Sequence, residues 1–283
     1  AERYADGGLL RAKIAFIARD VSAMGHAVYH AKPLRAPGAT ASAAVPGKQA
    51  GVIENEHYRV AVHPANGAIT SVLVKEGNWQ ALAGPAVVSR EHDGGDLWEL
   101  YQPLDGGSRI AMTRKQAVPQ PGKAVFSSDA SDKPGTTIAG PVFSEFAVTH
   151  PMDNGTFGTR VRVYAGLKRI DIHTQLVNNK KFVRYQALFP TSIQGGRTVH
   201  EVPFGAIERP AAIEFPAQNW ADYGDGRRGV ALLNRGMPGN LTTDNTMMLS
   251  LARATAIVAY GFGGGYGPGM SSDSGFELGK PLS

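Results

Sequence analysis

Cysteine is absent from all 283 residues. That excludes a disulfide scaffold, a thiol nucleophile and any cysteine-ligated zinc or iron–sulfur site. It leaves the redox compartment open. Long apolar runs are missing too, none approaching the ~20 residues of a membrane span. The N-terminal Leu9-Leu10-Arg11-Ala12-Lys13-Ile14 is broken by charge. No signal peptide is visible, so the chain reads as soluble with its compartment unassigned. Basic runs stop at the pairs Lys180-Lys181 and Arg227-Arg228, and 29 Lys and Arg against 24 Asp and Glu leave a dispersed net charge of +5. Such scatter is not the footprint of a nucleic-acid or membrane-surface binder. The glycine run 261–269 misses the dinucleotide spacing in every register, and Gly275–Lys280 is one residue short of a phosphate loop. There is no Gly-x-Ser-x-Gly elbow and no amphipathic run long enough for a helix of about ten residues.

What is present is a period of two. In Arg169-Ile170-Asp171-Ile172-His173-Thr174-Gln175-Leu176, polar and apolar residues alternate, so Asp171 and His173 share one face and Ile170, Ile172 and Leu176 the other. Strand-like runs recur at Val52–Val62, Ile69–Val74, Val142–Val148, Tyr185–Ile193, Gly229–Leu233, Met247–Leu251 and Ala256–Tyr260. Ala65-Asn66-Gly67, Asp153-Asn154-Gly155 and Asp225-Gly226 supply turn chemistry between them. With 35 glycines and 18 prolines, the chain reads as an all-β protein, a large antiparallel β-sandwich. Residues 51–283 make up that sandwich, and 36–50 form an Ala/Pro/Gly linker. Residues 1–35 hold two short strands, Lys13–Ile17 and His26–His30, as the remnant of a preceding small β domain. Two strands cannot bury a core alone, and no closing strand is visible at the other end, so both ends read as cut.

Four residues are candidates for acid–base work: Asp171 with His173, and His200 with Glu201. Strict alternation sets the second pair on opposite faces unless a bulge intervenes. For a metal, Asp171-Ile-His173 and His92-Asp93-Gly-Gly-Asp96 come nearest, but no third and fourth ligand can be assigned, so no metal site is expected. Sugar recognition calls for aromatic faces beside acids and amides. That mixture occurs at Asp96-Leu-Trp98-Glu99-Leu-Tyr101, at Glu201–Pro210 with Glu208 and Arg209, and at Gln218-Asn219-Trp220-Ala-Asp222-Tyr223. Trp98, Tyr101, Trp220, Tyr223, Glu208 and Arg209 are therefore the candidate carbohydrate-binding residues. Against this stand core burial of the aromatics and a local ion pair between Glu208 and Arg209.

Taken in order, these stretches resemble glycoside hydrolase family 38, the α-mannosidases, in its C-terminal β-sandwich region. The resemblance begins at Asp20-Val21 through Gly25 and Tyr29 and runs through Glu54–Val60, Asn66–Ser71, Asp96–Glu99, Arg169–Ile172 and Leu188–Thr191. It continues through Glu201-Val-Pro203-Phe204-Gly205-Ala-Ile207-Glu208-Arg209-Pro210, then Trp220, Gly229–Asn234 and Leu249–Arg253. It implies a galactose mutarotase-like supersandwich behind a catalytic barrel and a helical domain, and an α-mannoside-like glycan as partner. It also implies zinc, bound in the barrel of a parent enzyme together with the aspartate nucleophile, and therefore no cofactor in this chain. Arg209 is the matching candidate for the rim of the sugar pocket. Three readings follow: the structural and carbohydrate-binding portion of an α-mannosidase-like enzyme, a free-standing carbohydrate-binding module, or a complete small sugar-active enzyme.

Overall fold

The computed structural model describes residues 1–32, 45–46, 49–93, 115–255, 276 and 278–283. Among them every regular element is a β-strand and every strand pair is antiparallel. Strands β1 (Glu2–Arg3) and β2 (Leu9–Arg11) form an N-terminal hairpin. A five-stranded meander follows, of β3 (Val45–Pro46), β4 (Val52–Glu54), β5 (Tyr58–Val62), β6 (Ile69–Val74) and β7 (Trp79–Gln80). Next in the chain are β8 (Val87–His92), β9 (Val125–Phe126), β10 (Thr136–Ala139), β11 (Phe143–Met152), β12 (Gly155–Tyr164), β13 (Ile170–Val177) and β14 (Val183–Pro190). The remaining strands are β15 (Arg197–Val202), β16 (Gly205–Arg209), β17 (Phe215–Pro216), β18 (Trp220–Gly224), β19 (Gly229–Leu233), β20 (Gly239–Thr243), β21 (Thr246–Ala254) and β22 (Pro281–Leu282). They build a sheet of order β10-β11-β12-β13-β22, a sheet of order β17-β20-β21-β14-β8-β9, and a smaller one of order β16-β15-β18-β19.

The alternation in β12 explains how the layers meet. Phe157, Val161 and Val163 point inward and are buried, while Arg160 faces water. Val161 and Val163, with Phe146 and Val148 of β11, meet Ile53, Val60, Val62 and Ile69 of the first meander in one core. Phe157, Met152 and Leu176 meet Val88, Val183, Tyr185 and Ala187 of β8 and β14 in a second. A third core, around Ile193, Ala217, Ala221, Tyr223 and Met247, lies beneath the β16-β15-β18-β19 sheet.

The run Val52–Val62 is two strands rather than one. Asn55 breaks it: its side-chain oxygen accepts from the His57 and Tyr58 N–H groups, and its amide donates to the Tyr164 and Leu167 carbonyls at 2.6 and 3.1 Å. An Asx turn of this kind replaces ladder hydrogen bonds with side-chain ones. At Gly67, φ is +73° and a Cβ would stand 2.6 Å from Thr159, so only glycine fits where this turn meets β12.

Lys13–Ile17 and His26–His30 carry no strand, contrary to expectation. Their β-forming side chains find no neighbouring ladder among the described residues, and strand propensity without a partner does not make a strand. Ala256–Tyr260 and the glycine run after it lie outside the described residues.

Candidate functional site

The β15–β16 hairpin carries the Glu201–Pro210 block. Val202 pairs with Gly205, leaving Pro203 and Phe204 as the turn. Phe204 adopts φ +66° and is fully exposed. Cross-strand partners share a face, and the register pairs Thr198 with Arg209, Val199 with Glu208, and His200 with Ile207. Thr198, His200, Ile207 and Arg209 therefore lie on the inner face, and Val199, Glu201 and Glu208 on the outer one.

On the inner face the Arg209 guanidinium stacks over the Phe215 ring, 4.5 Å from its centroid, and its buried Nε has no hydrogen-bond partner. The local Glu208–Arg209 ion pair does not form, because adjacent strand residues point apart. Glu208 instead reaches Arg197 at 3.6 Å across exposed surface, where such a pair contributes little. His200 is wholly buried, and neither ring nitrogen makes a hydrogen bond of good geometry. Burial pushes its pKa below the usual 6.5, with Arg209 adding to the fall and the Pro216 backbone carbonyl opposing it.

The consequence for stability has a definite sign. The unfolded chain takes up the His200 proton near pH 6.5, and the folded chain only at lower pH. Stability from this group is thus complete above pH 6.5 and drains away as the pH falls from there to the folded-state value. We expect the urea midpoint of the wild type to decline between about pH 7 and pH 5, and His200→Leu to flatten that decline. A decline of the same slope in the variant contradicts the assignment.

Along β18, Trp220 and Asp222 face outward, while Ala221 and Tyr223 face the core. Tyr223 is buried; its hydroxyl donates to the Asn245 side-chain oxygen at 2.7 Å and accepts from the Gly196 N–H at 3.1 Å. The geometry gives this tyrosine a packing role and withdraws its ring from any external ligand. Glu201 sits on the outer face with one carboxylate oxygen accepting from the Asn219 N–H at 2.8 Å. Asp222 is half-buried, and burial alone raises its carboxyl pKa above the usual range. The structure thus gathers Glu201, Trp220, Asp222 and Glu208 on one face and His200, Arg209 and Tyr223 on the other. His200 and Glu201 are split between the two, as alternation requires. Asp222, which stands in the 218–223 mixture but not among the candidate binding residues, shares the face of Trp220, as a spacing of two along a strand requires.

Asp171 and His173 share a face of β13 far along the chain from this hairpin. The Asp171 carboxylate is already engaged: Tyr164 donates to it at 2.6 Å and Arg169 at 2.8 Å. His173 is exposed opposite Arg160. Among the described residues no group of three or more His, Asp or Glu converges for a metal ion. These side chains do not fit a zinc site, and no step is assigned to one. Trp98 and Tyr101 lie outside the described residues. An apolar cleft of about 30 Å³ opens between the layers, lined by Ile69, Val88, Phe157, Ile172 and Phe189, with room for a water or two rather than a sugar ring. No helix among the described residues is long and apolar enough to cross a membrane.

Comparison with known proteins bears on this arrangement. Mouse (Mus musculus) alpha-mannosidase 2C1 is 23% identical over 214 residues, covering 71% of this chain and 19% of that protein. The alpha-mannosidase of Saccharomyces cerevisiae is 32% identical over 102 residues, 32% of this chain and 9% of the relative. The crystal structure of an alpha-mannosidase from Enterococcus faecalis V583 superposes with a TM-score of 0.67 at 14% identity, over 84% of this chain and 29% of that one. The chain spans about a fifth of the length of the mammalian relative and under a third of the bacterial one. Residues 53–257 match the model of the glycosyl hydrolases family 38 C-terminal domain. The chain therefore belongs to glycoside hydrolase family 38, of which it carries the C-terminal domain.

Proposed function

We propose that this chain is the non-catalytic C-terminal portion of an α-mannosidase-like glycoside hydrolase, and that its sheets form a mutarotase-like supersandwich. In this reading it works joined to the catalytic barrel and helical domains of a parent enzyme and contacts an α-mannoside-like glycan. The observation that carries it is the family match, which covers residues 53–257 and is to the C-terminal domain model. Retaining glycoside hydrolysis needs two carboxylates about 5 Å apart across the glycosidic bond. Of the sequence candidates, Asp171 is held by Tyr164 and Arg169, and Glu201 lies on the face opposite His200.

Two further features support the reading. Residues 1–32 expose Tyr4, Leu9, Leu10, Ile14, Phe16 and Met24, an amount of apolar surface that suits contact with another domain. Segments 13–17 and 26–30, which join no ladder among the described residues, suit a sheet completed by neighbouring chain, so that residues 1–35 belong to a preceding domain, 36–50 to a linker and 51–283 to the sandwich. Arg209 keeps a guanidinium fork without a hydrogen bond among the described residues, a group that can hold sugar hydroxyls from the rim of a pocket. Zinc and the nucleophile belong to the catalytic portion. The test is aryl α-mannoside hydrolysis by this chain, alone and joined to a catalytic portion.

A further inference from the structure

Among the described residues, three hairpins close with two residues, and one of them breaks the rule the others keep. Met152 pairs with Gly155 across Asp153-Asn154, and Thr243 pairs with Thr246 across Asp244-Asn245. Asp153, Asp244 and Asn245 take the positive φ values these turns need, 51°, 46° and 58°. Asp and Asn tolerate the left-handed region, which a larger side chain reaches only against crowding of its Cβ by a carbonyl. The β15–β16 turn puts Pro203 and Phe204 in the same places, with Phe204 at +66°. The proline ring holds its own φ near about −65°, so the second residue must carry the turn. Proline followed by a positive φ is the pattern of a type II turn, whose second position is ordinarily glycine or asparagine. Two-residue hairpins also favour the primed turns, whose twist matches that of the strands.

Nothing among the described residues compensates that strain. Phe204 is fully exposed, and Pro203–Glu208 form an unbroken run of exposed residues. A strand exposed on both faces is not packed on the sheets beneath it, so β16 carries the tip out into solvent. A Cβ built on Gly205 would meet no atom within 4 Å. Phe182 provides the comparison, since its φ is also left-handed, at 55°. There the Phe276 ring packs edge-on at 5.2 Å, the N–H donates to the Ala254 carbonyl and the carbonyl accepts from the Asp93 N–H. Strained residues persist where their surroundings over-determine them. Phe182 has such surroundings, and Phe204 has none among the described residues. A glycine at 204 would remove both the crowding and the exposed ring.

We propose that the Pro203–Gly205 tip is a docking anchor, whose Phe204 ring seats in an apolar pocket on the catalytic portion of the parent enzyme. This rests on the reading of the chain as the C-terminal portion of such an enzyme. The relatives carry this domain inside far longer chains, of which it covers 19% and 29%, so a large protein surface accompanies it there. A single aromatic ring on a rigid turn is the form of an interface hot spot, since little side-chain freedom is lost on burial. A membrane surface would call for a basic collar, and no Lys or Arg stands between Glu201 and Glu208. The strained turn is then part of the fit: it holds the ring outward, where glycine would leave the pocket empty.

The test compares one substitution in two settings, this chain alone and the chain joined to a family 38 catalytic portion. In the chain alone, Phe204→Gly should raise the urea midpoint, because it relieves left-handed strain at an uncovered site. In the joined protein the same substitution should speed unfolding at fixed urea by about tenfold or more, as for loss of a buried aromatic anchor. Phe204→Leu, which keeps an apolar side chain at the tip, should lose less. Ile138→Ala, at an exposed apolar residue of the β10-β11-β12-β13-β22 sheet, should leave that rate unchanged. Unfolding is followed by tryptophan fluorescence, so the result needs no turnover and is separate from the hydrolysis test of the broader reading. Unfolding of the joined protein no faster with Phe204→Gly overturns the proposal. So does a lower midpoint in the chain alone, which would show that the chain itself holds the ring. A dimer of the chain alone, seen in sedimentation and dissociated by Phe204→Gly, would assign the tip to a second copy and overturn it as well.

Discussion

Asp93→Ala is expected to lower the unfolding free energy by about 3–5 kcal/mol, the cost of breaking a buried ion pair from one side. Asp93 closes β8 and has no exposed surface. Its carboxylate takes the Arg253 guanidinium in a two-point pair at 2.6 and 3.0 Å, and its N–H donates to the Phe182 carbonyl at 2.8 Å. Arg253 lies near the end of β21, and β14 runs between β8 and β21. The pair therefore ties the two strands flanking β14 at the end where Val183 pairs with His92 on one side and Ala254 on the other. Removing the acid leaves a guanidinium with only a fifth of its side chain in water. Against a total of about 5–15 kcal/mol for a typical domain, this is a large fraction. The urea midpoint measures it, and the double variant Asp93→Ala, Arg253→Ala should lose less than the sum of the single variants. Additive losses would show that the pair is not coupled.

Phe146→Ala is the second large effect, at about 3–5 kcal/mol for a buried aromatic truncated in a close-packed core. Phe146 is 1% exposed on β11 and sits in the core shared with Ile53, Val60 and Ile69 of the first meander. A Cβ on Gly135 would come within 2.5 Å of its ring tip, so the ring is sealed against bare backbone and the cavity left by truncation cannot readily collapse. Phe204→Ala provides the contrast: the same substitution at a fully exposed turn should change stability by no more than about 0.5 kcal/mol. Equal losses at the two positions would contradict the core assignment.

Much of this was legible in the residues. The alternation at 169–176 placed β13, and Asp153-Asn154-Gly155 marked the hairpin between β11 and β12. Period two also holds information that a reading by composition overlooks. Trp220 and Tyr223 are three apart and must face opposite sides of a strand, so they cannot share a ligand, whereas Trp220 and Asp222 can. Glu208 and Arg209 are adjacent and so cannot pair on one face. What local sequence does not reveal is the distant partner: Tyr164 reaching Asp171, Phe215 beneath Arg209, or Arg253 on Asp93 across 160 positions. The N-terminal segments show the limit in the other direction. They have the composition of strands but join no ladder among the described residues.

The central claim, that this family 38 C-terminal domain contributes no catalytic group of its own, is tested most directly by hydrolysis of an aryl α-mannoside. The assay is run on the purified chain with zinc added, and then on the chain joined to a family 38 catalytic portion. We expect no turnover above the uncatalysed rate from the chain alone, and zinc-dependent turnover when the catalytic portion is present. Turnover by the isolated chain that scales with its concentration would contradict the claim.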